Sequence, residues 1–200
     1  MLQNQVRIQN CRIHSSAIVS ASARLGKNVE IGPYAIVGGD VVIGDDTKIG
    51  SHVFIDGWTR IGKACIIHAS ASIGSEPQDE EFKNEKSYVV IGDNTHIHEF
   101  VIINRATGIE QETRIGDSCF LSAYSHVAHN CLVGNHVILS NAVSLAGYVK
   151  VEDGVNIGGL ASIHQFVKIG RKAVIGGASR VIQDVPPFVT VAGNPANRLA

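Results

Sequence analysis

Broken every six residues, positions 115–181 read IGDSCF LSAYSH VAHNCL VGNHVI LSNAVS LAGYVK VEDGVN IGGLAS IHQFVK IGRKAV IGGASR V, and every block opens on Ile, Leu or Val. A helix cannot place a period of six on one buried face, whereas short strands joined by tight corners can. Carried outward, the rule tests 29 positions from Ile13 to Val181, and 27 of them are Ile, Val or Leu. The two exceptions are Asp79 and Glu85. Two residues ahead of the aliphatic position stands a small or β-branched partner, such as Ala35, Thr59, Cys65, Cys119, Cys131 or Ala173. That spacing returns a side chain to the same strand face. Three hexads make one triangular coil, so residues 18 apart are expected in adjacent parallel strands. Roughly nine coils at ~4.8 Å each give a prism about 43 Å tall.

Glycine follows the aliphatic residue at 13 positions, from Gly26 to Gly176. The expectation there is a corner that demands a positive φ. The expected class is all-β, a parallel β-helix over 13–185 between a lead-in at 1–12 and a tail at 186–200. The segment SEPQDEEFKNEKSYV breaks the hexad pattern and is expected to leave the prism as a loop over about 75–90. NRATGIEQET keeps the register but gains charge, and is expected to bulge outward over about 104–113.

With 44% hydrophobic and 18% charged residues in 200, a disordered chain is excluded. The formal net charge of −1 gives no global attraction to nucleic acid or an anionic membrane. The opening residues lack a signal-peptide core, and no apolar run approaches the roughly 18 residues of a membrane span. The expected location is the cytoplasm. The four cysteines form no CxxC pair. Three of them occupy the small inward position and are read as reduced core thiols.

Chemistry concentrates in SHVAHNC (125–131), SLAGYV (144–149) and SIHQF (162–166). The 18-residue column aligns His129 with Gly147 and Gln165, and His126 with Ser144 and Ser162. A neutral imidazole beside a glycine N–H is the minimum equipment for acyl transfer, one group removing a hydroxyl proton and the other holding an oxyanion. The same histidines would also suit the surface or the subunit interface of a trimer. His52 and His136 fall at turns and need no functional account.

The QD of the first loop, HVAHNC, LAG, HQF and QDVPPF together resemble the acyl-carrier-protein-dependent UDP-N-acetylglucosamine O-acyltransferases that open lipid A synthesis, over essentially the whole chain. The resemblance implies a left-handed β-helix and a homotrimer with sites between subunits. It implies transfer of an acyl or 3-hydroxyacyl chain from acyl carrier protein to the 3-position of a UDP-sugar, UDP-N-acetylglucosamine or its 3-amino analogue, with no cofactor and no metal. Carried over by motif, His129 matches the general base, Gly147 the backbone donor to the thioester carbonyl, and His126 and Asp79 substrate contacts. His164 and Gln165 match positions further along the cleft, and Gly177 a position that limits acyl length, with Gly159 one coil below. Three residues depart from the family pattern: Glu81 where lysine is expected, Tyr148 where histidine is common, and Pro195 in place of histidine. The family continues into a helical domain, which is expected to be absent from a chain ending at Ala200.

Three other readings compete. The ending VAGNPAN suggests a coenzyme A-dependent hexapeptide-repeat acetyltransferase acting on a sugar or small amine. A zinc hydratase on the same prism would need a third histidine beside His126 and His129. A structural or ice-binding solenoid would need stacked threonine rows that the mixed outward positions lack.

Overall fold

Each coil gives one short strand to each of three faces. In the computed structural model, which describes residues 10–199, 28 strands form sheets of 11, 9 and 8 strands. The first sheet begins at Arg12–Ile13, the second at Ile18–Val19 and the third at Arg24–Leu25. Pairing between coils is parallel and pairs hexad with hexad, as in Val127↔Leu145, Leu145↔Ile163 and Ile163↔Val181. The stacked aliphatic residues fill the prism. Ile43, Ile55, Ile67, Ile97, Leu121, Leu139, Ile157 and Ile163 are among those fully buried, each worth about 1.5–3 kcal/mol of transfer free energy. Residues 1–9 of the expected lead-in lie outside the described residues. Beyond residue 185, Thr190–Gly193 pairs parallel with Val174–Ile175 and antiparallel with Ala196–Arg198. No helix occurs among the described residues, and so none is long and apolar enough to cross a membrane.

Of the thirteen glycines only Gly74 has the expected positive φ, at 81°, and the other twelve serve a different purpose. Positive φ otherwise falls two positions later, on Asn28, Asp46, His52, Asn94, His136 and others. Their N–H groups remain paired, as when Asp46 donates to Lys27 O at 2.8 Å. The glycines instead permit coils to approach. A Cβ on Gly26 would stand 2.6 Å from the Asp45 nitrogen, and one on Gly92 2.7 Å from the Gly116 carbonyl carbon. The gap is used by a carboxylate or amide of the next coil. Asp45, Asn135 and Asp153 accept N–H groups from Lys27, Asp117 and Asn135 at 2.7–2.8 Å.

Two excursions leave the prism at one corner, between the second and third sheets. Ile73 and Ile91 stand 18 residues apart where the coil needs six, and Ile103 and Ile115 stand 12 apart. Twelve and six residues therefore leave the coil. The pairings Ile61↔Ile91 and Ile103↔Val127 close the sheets beneath them. Both excursions are whole multiples of six, so the period runs through them unbroken. One consequence is a correction: Ile109 obeys the hexad rule but is 75% exposed on the second excursion.

Cys65, Cys119 and Cys131 are buried thiols. Burial pushes Cys119 up to about 11 and Cys131 up to about 12. Such thiols stay protonated and do not act as nucleophiles. Each donates to a carbonyl of the next coil, Cys131 to Ala146 O at 3.1 Å.

Candidate active site

His126 and His129 occupy the coil directly beneath the two excursions, at the corner where both emerge. His126 lies outward on the strand His126–Val127, paired with Ile102 above and Ser144 below. His129 sits two residues further, in the corner itself, and is 9% exposed. Gly147 and Gln165 follow at the same corner on the next two coils.

The hydrogen bonds fix both ring tautomers, because each histidine faces an amide that the backbone has already oriented. Asn130 Nδ2 donates to Thr107 O at 3.0 Å and its Oδ1 accepts Thr107 N–H at 2.9 Å. That Oδ1 lies 2.9 Å from His129 Nδ1, which must therefore carry the hydrogen. The lone pair of His129 is left on Nε2. Likewise, Asn104 Nδ2 donates to Glu76 O at 2.7 Å and Ser75 Oγ at 3.1 Å, so its Oδ1 accepts from His126 Nε2 at 2.9 Å. Burial first, and the neighbouring His129 second, hold His126 below the ordinary imidazole value. It is a neutral donor at neutral pH.

His129 Nε2 points to the loop. Asp79 Oδ2 is 3.9 Å away, too far for a hydrogen bond but placed so that one oxygen or nitrogen could lie ~2.8 Å from both. Asp79 is oriented by Thr107 Oγ1, which donates at 3.3 Å, and by the Glu81 N–H at 3.1 Å. On the other side, a Cβ on Gly147 would lie 2.6 Å from His129 Nε2 and 3.4 Å from Gln165 Nε2. Only glycine admits the imidazole here. Among the described residues, no backbone acceptor takes the Gly147 N–H, while the Gly147 carbonyl accepts from Phe166 at 3.1 Å. Tyr148 meets His129 edge-on at 5.3 Å between ring centroids and stacks on Phe166 at 5.0 Å.

These groups border an open cleft of about 790 Å³, lined by Gln78, Asp79, Glu80, Glu81, Thr107, Tyr148, Gln165 and Phe166. Three of the eight are acidic and none is cationic. The nearby cation, Arg105, is 8% exposed and is engaged with Glu76 at 3.5 Å and with the Phe82 and Trp58 rings. It clamps the first excursion to the second. A larger concavity of about 930 Å³ lies around Gly32, Gly50 and His68 at the corner between the first and second sheets, away from these histidines.

Of the residues expected from sequence, His129, Gly147, Asp79 and Gln165 meet around one point, and His126 adjoins them. His164 does not join them: it is exposed and its Nδ1 faces Gln165 O at 3.1 Å. Gly159 and Gly177 stack on one another, a Cβ on Gly177 lying 3.3 Å from Gly159 O, but they occupy the corner between the first and second sheets. His52 and His136 have positive φ at turns. Sequence reasoning missed Asn104, Arg105 and Thr107. Their signal was the second excursion, placed one coil before SHVAHNC.

Residues 22–57 match the family described as bacterial transferase hexapeptide (six repeats). The acyl-[acyl-carrier-protein]–UDP-N-acetylglucosamine O-acyltransferase of Thermodesulfovibrio yellowstonii is 50% identical over 188 residues, covering 94% of this chain and 72% of the relative. The enzyme of the same name from Gloeothece citriformis is 48% identical over 144 residues, 72% of this chain, and the match spans 52% of that relative. The chain thus covers about half the length of that relative. The Acinetobacter baumannii LpxA structure aligns with a TM-score of 0.91 at 43% identity, covering 94% of this chain and 73% of that one. The shared fold is the left-handed parallel β-helix.

Proposed function

Because the chain belongs to the family of acyl-[acyl-carrier-protein]–UDP-N-acetylglucosamine O-acyltransferases, we propose that it moves an acyl or 3-hydroxyacyl chain from acyl carrier protein to the 3-position of UDP-N-acetylglucosamine or its 3-amino analogue. The observation that carries this reading is the placement of His129 Nε2, turned away from the Asn130 amide and set between Asp79 and the Gly147 backbone. In the proposed step Nε2 takes the proton of the acceptor's 3-hydroxyl as its oxygen attacks the thioester carbonyl. The carbonyl oxygen becomes an oxyanion and is met by the Gly147 N–H. Collapse breaks the C–S bond, and the imidazolium returns its proton to the departing thiolate. Asn130 holds the hydrogen on Nδ1 throughout, while Asp79 and the neutral His126 bind the sugar.

Two features of the cleft support a homotrimer in this proposal. The cleft beside His129 is walled by the first excursion and the Tyr148–Phe166 corner but stays open to solvent, and a desolvated site needs that side closed. The lining also carries no cation for a diphosphate, so a neighbouring copy is assigned that charge. With acyl carrier protein as donor, we place the reaction in the cytoplasm.

The test is acyl transfer from acyl-carrier-protein thioesters and from acetyl-coenzyme A to UDP-N-acetylglucosamine. The carrier-protein donor should be preferred, and His129→Ala should lower turnover roughly 10²- to 10⁴-fold with the fold intact. Full activity in that variant, or preference for acetyl-coenzyme A, would reject the assignment.

A further inference from the structure

We propose that His68, His98 and Glu99 form a binding site for a zinc-class divalent ion, at the prism corner remote from His129. The cluster follows from the repeat. Ile67 pairs with Ile97 across coils, so the residues after them share a column, and their rings stack at 4.3 Å with 13° between planes. Glu99 then turns its carboxylate across the pair. Its Oε1 lies 3.7 Å from His68 Nδ1 and its Oε2 3.5 Å from His98 Nδ1.

These separations exceed the 2.7–3.2 Å of an N–H···O hydrogen bond, so hydrogen bonding does not explain the arrangement. They do match a metal site. Two ligands each ~2.0–2.1 Å from a tetrahedral ion stand about 3.3 Å apart, within a few tenths of an ångström of both N···O distances. All three ligand atoms already lie within 4.8 Å of one another. Because the two rings lie nearly parallel, the more exposed His68 ring must turn about its Cβ–Cγ bond for its in-plane lone pair to meet that of His98 on one ion.

The chemistry of the donors agrees. Two imidazole nitrogens and one carboxylate oxygen suit Zn²⁺ and Co²⁺ better than Mg²⁺ or Ca²⁺, which prefer all-oxygen shells. His98 Nε2 is buried without a partner, so Nδ1 is the nitrogen a ligand can reach. Phe120 packs on the His98 ring at 4.6 Å and limits its rotation. The fourth position opens on the 930 Å³ trough that runs along Gly32 and Gly50 and is bordered by His68 and Glu99. A bound ion would tie the coil of His68 to that of His98, the two coils separated in sequence by the first excursion. This ion is distinct from the zinc arrangement weighed for His126 and His129, and lies at a different corner of the same chain.

The test uses the tag-free 200-residue chain, stripped with chelator and titrated with Co²⁺ and Zn²⁺. The expected result is one Co²⁺ per chain with the visible absorption of a tetrahedral site, displaced by Zn²⁺, and a Zn²⁺-dependent rise in Tm. His68→Gln and His98→Gln should each weaken binding at least about 100-fold, with apo Tm unchanged, and Glu99→Gln should weaken it less. His129→Gln should leave binding intact. No tetrahedral Co²⁺ spectrum in the wild type, or a spectrum that survives both His68→Gln and His98→Gln, would overturn the site. Should the substitutions lower the apo Tm, the wild-type Co²⁺ spectrum and its stoichiometry decide alone.

Discussion

Replacing Asn130 with alanine tests whether the corner amide, rather than the imidazole alone, makes His129 a base. The backbone accepts the change, because Ala64, Ala142 and Ala178 occupy the equivalent corner position with φ between 51° and 56°. What disappears is the side-chain set: the bond from His129 Nδ1 at 2.9 Å and the two bonds to Thr107 at 2.9 and 3.0 Å. The first is worth about 0.5–1.5 kcal/mol net, and each Thr107 group left without a partner costs a comparable amount or more. Loss of the tautomer lock and of the loop that orients Asp79 should therefore total about 1.5–3 kcal/mol at the transition state. That corresponds to roughly 10- to 150-fold in kcat/KM, less than removal of the base itself. Nitrogen-15 NMR of the histidine rings gives the direct readout, His129 changing from Nδ1–H to a mixture of tautomers. Asn130→Asp separates the two effects. Its carboxylate still accepts from Nδ1 but sets an oxygen against the Thr107 carbonyl, so the Nδ1–H tautomer should persist while the loop that orients Asp79 loosens. If Asn130→Ala keeps full kcat/KM and His129 keeps its Nδ1 hydrogen, the amide does not set the tautomer.

Gly147→Ala places a methyl 2.6 Å from His129 Nε2, and should cut kcat by about 10²-fold or more through displacement of the ring; unchanged kinetics would show that the ring need not lie there. His126, held low by burial, is protonated first in the unfolded chain. Its stabilising contribution is complete above about pH 6.5 and is lost as pH falls through that value toward the lower folded one. Tm should drop on acidification from about pH 7.5 to 5, and His126→Asn should flatten that slope; an identical slope in the variant would remove His126 as its source. Gly177 has no positive φ, and a Cβ there meets Gly159 O at 3.3 Å and Gly159 N at 3.9 Å, contacts that a shift of a few tenths of an ångström relieves, so Gly177→Met should fold. If the acyl chain runs past it, leaving three methylenes unburied costs about 2.4 kcal/mol, or roughly 50-fold in kcat/KM for the longest donors, with short donors unaffected. Equal loss with every donor would exclude the ruler.

The prism was legible because each hexad repeats one physical demand, an aliphatic side chain pointing inward. The reason for glycine was not legible. A missing Cβ reads the same whether φ or space requires it, and only the stacked coil reveals Asp45 in the gap above Gly26. Column arithmetic brought His129, Gly147 and Gln165 together because no excursion intervenes after Ile115. It could not place Asp79, Thr107 or Asn104, since a loop that leaves the prism returns to it by hydrogen bonds that carry no period. Ile109 shows the converse, a residue with the right number and the wrong place.

The two edges of the prism bear on how the proposed reaction is housed. The base and the oxyanion donor lie between the second and third sheets, and the Gly159–Gly177 strip lies between the first and second. Along the axis His129 and Gly177 are 48 residues apart, two and two-thirds coils, or about 13 Å at ~4.8 Å per coil. An alkyl chain starting at Gly147 and ending at Gly177 of the same chain must cross the second sheet, whose outward residues on these coils are Ser144, Ser162 and Arg180. That row is polar and gives an alkyl chain nothing to bury against. In the proposed trimer one edge of each copy can face the other edge of its neighbour. The base of one chain and the glycine strip of the next would then border a single cleft, with Tyr148 and Phe166 as its apolar lip. On that arrangement Gly177→Met and His129→Ala should complement in mixed trimers, because each intact cleft needs only one residue from each of two chains.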